Sequence, residues 1–195
     1  PRSTRVRSSA ASDVYKRQVL LSYLATAINA AIVITGLENM AKDLDLNQSV
    51  LSWVQNSYVL AWGCFMLLGG RLSDAFGRRS ILNLSLLLFG IGSLFAGIAT
   101  SATILILSRF IQGVGASILA PTSLALIMDY FTGEERIKAI AWYSSISGLG
   151  MCIGLVMGGT LASFLSWRYG FFIYLPLIVL SLIHISEPTR HLRIS

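Results

Sequence analysis

Apolar residues form six long stretches along the chain, separated by short polar segments that are rich in Arg, Asp, Asn and Gly. The stretches are apolar on every side, whereas a surface helix of a soluble protein keeps a charged face. A helix needs about twenty apolar residues to cross a bilayer. The stretches cover residues 20–36, 50–69, 80–99, 103–128, 137–163 and 167–179. The pattern predicts an all-α membrane protein with six transmembrane helices.

The same pattern argues against a membrane β-barrel. Backbone groups in lipid find no water, so a spanning segment must be a helix or belong to a closed barrel. Barrel strands are about ten residues long and alternate apolar with polar positions. The stretches of this chain are longer and continuous.

Basic side chains are concentrated on one side of the predicted membrane. The loops after the second and fourth stretches carry five of them, namely Arg71, Arg78, Arg79, Arg136 and Lys138. The loops on the other side carry only Lys42 and Arg168. The positive-inside rule then places the five, and the N-terminus, in the cytoplasm of a multi-pass plasma-membrane protein. Four aromatic residues near the span starts are interpreted as interfacial anchors: Trp142, Tyr143, Trp167 and Tyr169.

The two ends of the chain are related through the genetic code. Residues 13–18, DVYKRQ, can be encoded by DNA whose opposite strand encodes LSLIHI, residues 180–185. Folding has no reason to select such an inverted repeat, and it resembles the transposase end used in preparing sequencing libraries. We therefore interpret residues 1–18 and 180–195 as adapter-derived and exclude them from structural reasoning. Residues 19–179 remain as the biological segment, with its first and sixth stretches truncated.

Leaving out the ends changes what the charge implies. The whole chain has 15 Lys and Arg against 9 Asp and Glu. Seven of the basic and two of the acidic residues lie in the ends, which leaves eight against seven. The balance therefore gives no reason to expect a nucleic-acid partner.

The remaining segment also lacks the residues of a catalytic or metal site. Both histidines, His184 and His191, lie in the excluded end. Cys64 and Cys152 are isolated in apolar stretches and form no CxxC pair. We therefore predict no enzyme activity, no cofactor and no bound metal.

The segment GGRLSDAFGRRS, residues 69–80, packs glycines, an acid and three arginines between the second and third stretches. Gly70 and Gly77 permit a tight turn and a close helix approach, and Asp74 can accept hydrogen bonds from an arginine. Arg78 and Arg79 hold the cytoplasmic side. A basic loop that only sets the topology would explain the arginines, but it would not explain the spacing of Gly and Asp.

This segment resembles the cytoplasmic signature of the major facilitator superfamily, roughly G-x-L-S/A-D-R/K-x-G-R-R/K. The matching positions are Gly70, Leu72, Asp74, Gly77, Arg78 and Arg79. The resemblance implies a latch, in which the Asp and Arg hold the cytoplasmic gate closed against a helix of the other half of the transporter. Ala75 stands where the family usually has a basic residue.

A second motif, SRFIQGVGASILAP, lies inside the fourth stretch at residues 108–121. Arg109, Gln112 and Gly113 fall on one helical face, and an arginine at this depth should face a cavity or a partner. The alternative is an arginine that snorkels to the outer surface. The motif resembles the family's R-x-x-Q-G-x-G sequence, which implies coupling to protons or substrate.

Polar residues of the first two stretches are weaker candidates for lining a transport pathway. Asn29 falls where drug exporters of the family often place an Asp. Because its side chain is an amide, which does not titrate, Asn29 cannot carry a proton. Gln55, Asn56 and Tyr58 stand near the start of the second stretch. The first five stretches offer no acid near the midplane of the membrane. A proton-carrying group would therefore belong to the other half of the transporter, which this chain lacks.

Glycines recur at every fourth residue in the fifth stretch, at Gly150, Gly154 and Gly158, and this strip lets another helix approach closely. The strip, with Gly159, resembles the antiporter motif G-x-x-x-G-P-x-x-G-G. Leu155 replaces the proline, so the usual cause of a kink is missing.

The three motifs stand in order over residues 19–179. The chain thus resembles the N-terminal six-helix half of a major facilitator transporter, most like the drug and proton antiporters. The implied partners are a small-molecule substrate, protons, the lipid bilayer and the missing C-terminal half. Two alternatives stay open: a symporter or facilitator for sugars or other metabolites, and a membrane sensor module that transports nothing.

Overall fold

Helices make up nearly all of the described structure. The computed structural model describes the backbone of residues 2–176 and 178–179, and the side chains of residues 20–176 and 178–179. The helices are α1 (Arg2–Asp43), α2 (Gln48–Phe76), α3 (Arg78–Gly97), α4 (Ala102–Tyr130), α5 (Gly133–Phe164) and the short α6 (Tyr169–Phe172). These residues contain no strand, so the all-α prediction is confirmed.

Within the described part of the chain, five helices are long and apolar enough to cross a membrane. They are Leu20–Asp43 of α1 and the whole of α2, α3, α4 and α5. The sixth predicted span starts with α6 and continues as helix at residues 174–176 and 178–179. Any continuation of this span past residue 179 lies outside the described residues.

Two helices run further than their apolar stretches. α1 continues past Gly36 to Asp43, and an ion pair of 2.7 Å between Lys42 and Glu38, one turn apart, stabilises this polar end. α2 continues to Phe76, so most of the segment expected to form a loop is helical. The turn is reduced to Gly77, whose φ of +89° favours glycine.

Side-chain caps define where α2 and α4 begin. The carbonyl oxygen of the Asn47 side chain accepts a hydrogen bond from the backbone N–H of Val50, at 2.9 Å. The Ser101 hydroxyl accepts from the backbone N–H of Ile104, at 3.4 Å. Both caps satisfy donors that the first turn of a helix leaves unpaired.

The bundle is arranged around α4. This helix packs against α2 and α3, while α1 packs along α5. Ile32, Leu86 and Leu119 belong to one apolar cluster, and Met40 and Leu105 to a second. α4 is therefore the helix whose polar residues are most enclosed by protein.

The interfacial-anchor interpretation is wrong for Trp167. This side chain is 3% exposed and packs edge-to-face on Phe171, with ring centroids 6.1 Å apart. Tyr143 is partly buried and stacks on Tyr23 at 4.1 Å. A rule based on position along a span cannot separate an aromatic that faces lipid from one that faces a neighbouring helix.

The segments interpreted as adapter-derived are described only in part. The backbone of residues 2–18 is helical and forms the first part of α1. Their side chains, and residues 180–195, lie outside the described part of the chain. The adapter interpretation and the domain boundaries based on it remain predictions.

Candidate transport site

Arg109 is a charged side chain in the core of the bundle. It is 2% exposed and is the one charged residue among the buried side chains that the structure describes. It lies about 10 Å along α4 from the first residue of that helix. The guanidinium turns toward α1 and deeper into α4, and does not snorkel to the outer surface. Whether it faces a transport cavity remains a prediction.

A hydrogen-bond network connects Arg109 to two other helices. Its Nη1 donates to the Asn29 side chain of α1, at 3.1 Å, and to the Gln112 side chain, at 2.7 Å. Gln112 donates in turn to the Ser93 hydroxyl of α3, also at 2.7 Å. Three residues singled out by the sequence motifs therefore lie in one network, with Ser93 added to them.

Tyr58 of α2 encloses the same guanidinium from another side. The carbon at the centre of the guanidinium lies 4.2 Å from the centroid of the Tyr58 ring, within the range of a cation–π contact. α2 comes this close because of Gly113, where any Cβ would collide with the carbonyl oxygen of Tyr58. Gly113 therefore shapes the site through helix packing.

Gly92 on α3 likewise permits a close approach of two helices, here around Gln112. A Cβ at Gly92 would lie 2.6 Å from the Cγ of Gln112 and 2.9 Å from the carbonyl oxygen of Ser108. Glycine at this position lets α3 and α4 approach until Gln112 reaches Ser93. The polar network is thus assembled by close helix packing in an otherwise apolar bundle.

Arg78 forms a second cluster at the opposite end of the bundle. Its Nη1 pairs with Asp129 of α4 at 2.5 Å and donates to the carbonyl oxygen of Ala125 at the same distance. Its Nη2 pairs more loosely with Asp74 of α2, at 3.3 Å. The cluster ties α2, α3 and α4 together and leaves 69% of the Asp74 side chain exposed.

A surface pocket of about 420 Å³ opens beside this cluster. Asp74, Arg78, Arg79 and Asp129 are among the residues that line it. Two acids and two bases thus share one small polar surface on the side predicted to be cytoplasmic.

The close helix approach expected at Gly70 occurs one residue earlier. A Cβ on Gly70 would meet only Pro121, at 4.0 Å, which is ordinary contact. A Cβ on Gly69 would lie 2.8 Å from the Cα of Ile118 in α4. Gly69 is the residue on which this packing depends, because successive residues of a helix face different directions.

The glycine strip of α5 packs on α1. A Cβ on Gly154 would lie 2.6 Å from the carbonyl oxygen of Ile28, and Gly150 and Gly158 are similarly tight against α1. A Cβ on Gly159, which the motif groups with them, would meet none of the described residues within 4 Å, so Gly159 does not share this contact. The strip therefore joins two helices of the same half.

A third polar cluster, at the ends of the helices away from the Arg78 cluster, was not predicted from the sequence. Asp43 of α1 pairs with Arg168 and accepts from the Trp167 indole at 3.2 Å. Arg168 also donates to the carbonyl oxygen of Ala99 after α3, at 2.8 Å. The cluster joins α1, α3 and the turn before α6. Its partners are far apart in sequence, so no local motif could indicate it.

Comparison with known proteins identifies the family. The model of the Major Facilitator Superfamily matches residues 19–192, most of the chain. The chain belongs to this superfamily, and it is a multi-pass membrane protein of that fold. One relative is named as a transporter, Multidrug transporter protein MdtP of Bacillus subtilis, which is 31% identical over 169 residues, covering 87% of this chain and 31% of that protein.

Several relatives are named for drug resistance. The chain is 40% identical over 166 residues to puromycin resistance protein pur8 of Streptomyces alboniger, covering 85% of this chain and 33% of that protein. It is 35% identical over 167 residues to Multidrug resistance protein 3 of Bacillus subtilis, covering 86% of this chain and 32% of that protein. The chain thus spans about a third of the length of these relatives.

Solved structures support the same fold. The proton:xylose symporter XylE aligns with a TM-score of 0.81 at 18% identity, over 92% of this chain and 45% of that one. At this identity the match concerns the fold alone.

Proposed function

We propose that the chain is the N-terminal half of a secondary transporter that exports drug-like small molecules in exchange for protons by alternating access. The observation that carries the proposal is the buried Arg109 network, which a purely structural helix bundle would not need. A charged side chain within a membrane span is expensive, and it usually marks a substrate or ion pathway. The resistance proteins among the relatives favour export.

Arg109 provides a fixed positive charge in this scheme. A guanidinium stays protonated at physiological pH, so it sets the local field and does not carry the proton itself. Its described side-chain contacts are neutral: the amide oxygens of Asn29 and Gln112 and the ring of Tyr58. The field is therefore not cancelled by an acid within the described helices. A carboxylate in the second half would then be the proton carrier.

The Arg78 cluster is proposed as the cytoplasmic gate. Because Asp74 is largely exposed and its pair with Arg78 is long, its carboxylate is available to a helix of the second half. Asp129 holds Arg78 in place through the shorter contact. The gate would close when the two halves meet at this end. This assignment places the N-terminus and both basic loops in the cytoplasm.

The test measures drug efflux by the full-length protein in a host that lacks its main exporters. Cells are loaded with ethidium, and efflux is followed after glucose is added, with and without a protonophore. We expect energy-dependent efflux that the protonophore abolishes. Asp74→Asn should remove most of it, while Asp45→Asn, an equal change at an exposed acid of the opposite loop, should not.

Other outcomes point to the alternatives. Proton-dependent uptake of a sugar without ethidium efflux would favour a metabolite symporter. The absence of flux for every solute in a correctly inserted protein would favour a sensor module.

A further inference from the structure

Pro121 interrupts the backbone hydrogen bonding of α4. It lies inside the helix, which continues to Tyr130. Proline has no backbone N–H, so the carbonyl oxygen of Ser117, four residues earlier, loses its usual helical partner. Proline is also a recognised cause of sharp bends in helices. α4 thus has a weak point that lies between the Arg109 network and the residues of α4 that Arg78 contacts.

α2 has a weak point of its own beside this proline. Gly69 and Gly70 are adjacent in α2, and glycine lowers the stability of a helix. A Cβ on Gly69 would lie 3.0 Å from the carbonyl oxygen of Ser117, which Pro121 leaves without its helical partner. A Cβ on Gly70 would meet Pro121 itself, at 4.0 Å. The weak points of the two helices therefore face each other where α2 packs on α4.

Two hydroxyl groups directly after the proline are buried and unused. Neither Thr122 nor Ser123 has a hydrogen-bond partner for its hydroxyl among the described residues. Five buried serines of α2, α3 and α4 instead donate to a carbonyl oxygen three or four residues earlier in their own helix: Ser57, Ser85, Ser93, Ser108 and Ser117. A bond of this kind from Ser or Thr often bends a helix, and in membrane helices it satisfies carbonyl oxygens that a proline frees.

We propose that Pro121 is the hinge of a two-state helix, at which the last nine residues of α4 bend relative to the rest. Gly69 and Gly70 let α2 follow this bend without losing its contact with α4. In the bent state the hydroxyls of Thr122 and Ser123 donate to carbonyl oxygens four residues earlier. These bonds compensate for the backbone hydrogen bonds that the bend weakens.

The contacts of Arg78 hold α4 in the described conformation. Arg78, the first residue of α3, pairs with Asp129 at 2.5 Å and donates to the carbonyl oxygen of Ala125, and both partners lie beyond the hinge. α3 has neither proline nor glycine between Arg78 and Gly90, so it has no equivalent point at which to bend. The bend would therefore break these contacts, which links the shape of α4 to the cytoplasmic gate. Only this link rests on the proposed function, because the bend itself requires no transport.

The distance between two spin labels measures the bend in the full-length protein in nanodiscs, without solute or proton gradient. The native cysteines are first replaced by alanine, and the labels are attached to Leu21→Cys and Met128→Cys, at two exposed positions. Leu21 lies on α1, which has neither proline nor glycine between this residue and Gly36. Met128 lies seven residues past the hinge, or about 10 Å of helix. A bend of about 20° would move Met128 by about 4 Å.

We expect two distances in Arg78→Gln, because this variant releases the end of α4. The ratio of bent to unbent protein should be about threefold higher than in the wild type, as expected for the loss of a partly exposed ion pair. Adding Pro121→Ala to Arg78→Gln should remove the second distance, because alanine restores the missing N–H. In the same background Gly70→Ala should reduce the second distance, since its Cβ makes only ordinary contact and acts by stiffening α2. Gly63→Ala is the matched control on α2, where a Cβ would meet none of the described residues within 4 Å, and it should change nothing.

Three results would count against the hinge. A single distance in Arg78→Gln would overturn it, as would a second distance that survives the addition of Pro121→Ala. Equal effects of Gly70→Ala and Gly63→Ala would overturn the role of α2. Because the measurement needs no solute, a protein that bends in this way but transports nothing would refute the transport function alone.

Discussion

Substituting Gly154 with Ala tests the packing that holds α1 against α5. The added Cβ would lie 2.6 Å from the carbonyl oxygen of Ile28 and 2.7 Å from the Cβ of Ala31. Ordinary contact begins at 3.4 Å, so the helices must separate by roughly 1 Å. The clash involves backbone and a methyl group on a helix, neither of which can rotate away.

The expected change in the free energy of unfolding for Gly154→Ala is the sum of two opposing effects. Overpacking in a tight interface destabilises by about 1–3 kcal/mol. Alanine has a higher helix propensity than glycine, by up to about 1 kcal/mol, and this gain offsets part of the destabilisation by overpacking. Gly159→Ala is the matched control on the same helix. A Cβ there would meet none of the described residues within 4 Å, so among them only the higher helix propensity of alanine applies. The two variants should therefore differ by about 1–3 kcal/mol, with Gly154→Ala the less stable.

Equilibrium unfolding of the full-length protein in dodecyl maltoside and SDS mixtures, followed by far-ultraviolet circular dichroism, measures this difference. The midpoint for Gly154→Ala should fall below that of the wild type, and the midpoint for Gly159→Ala should equal or exceed it. Equal midpoints for the two variants would refute the reasoning, because they would mean that α1 does not pack on the strip.

Three further predictions concern the polar ends of the bundle. Gly77→Ala should destabilise by about 1–2 kcal/mol in the same unfolding assay, because the turn has a positive φ; an unchanged midpoint would contradict this. Asp129→Asn should lower ethidium efflux at least as far as Asp74→Asn, because Asp129 makes the shorter contact with Arg78; normal efflux would show that this pair has no role in the gate. Arg168→Gln should destabilise the protein by about 1–3 kcal/mol, because Asp43 and the carbonyl oxygen of Ala99 lose their shared donor; recovery in the double variant with Asp43→Asn would identify the lost pair.

The sequence was sufficient for features that depend on one helix alone. Long apolar stretches leave helices as the only spanning structure, so the five spans could be placed from hydropathy. Arg109 and Gln112 are three residues apart, and the period of the helix puts them on one face. Their mutual hydrogen bond at 2.7 Å is the result of that spacing.

Contacts between helices were predicted less well, because they depend on which faces meet. Ser93 carries no motif, and it joins the site only through the packing of α3 against α4. Gly159 was grouped with the strip by its family motif, but a helix of 3.6 residues per turn points it away from α1. Arg168 and Asp43 are 125 residues apart, and only the folded bundle brings them together.

The length of the helices was also underestimated for a physical reason. Hydropathy detects the part of a helix that lies in lipid, whereas the hydrogen-bonded backbone can continue into water. α2 therefore carries the cytoplasmic motif up to Phe76 as helix, and only Gly77 forms the turn. Asp74, near the end of α2, and Arg78, the first residue of α3, lie on either side of that turn and form an ion pair at 3.3 Å.

The central claim, that a fixed charge at Arg109 couples export to protons, is tested most directly in proteoliposomes. The full-length protein is reconstituted, a pH gradient is imposed, and ethidium transport is measured for the wild type, Arg109→Lys and Arg109→Ala. The account predicts loss of gradient-driven transport in Arg109→Ala and partial retention in Arg109→Lys, since lysine keeps the charge without the planar guanidinium. Full gradient-driven transport by Arg109→Ala would contradict it.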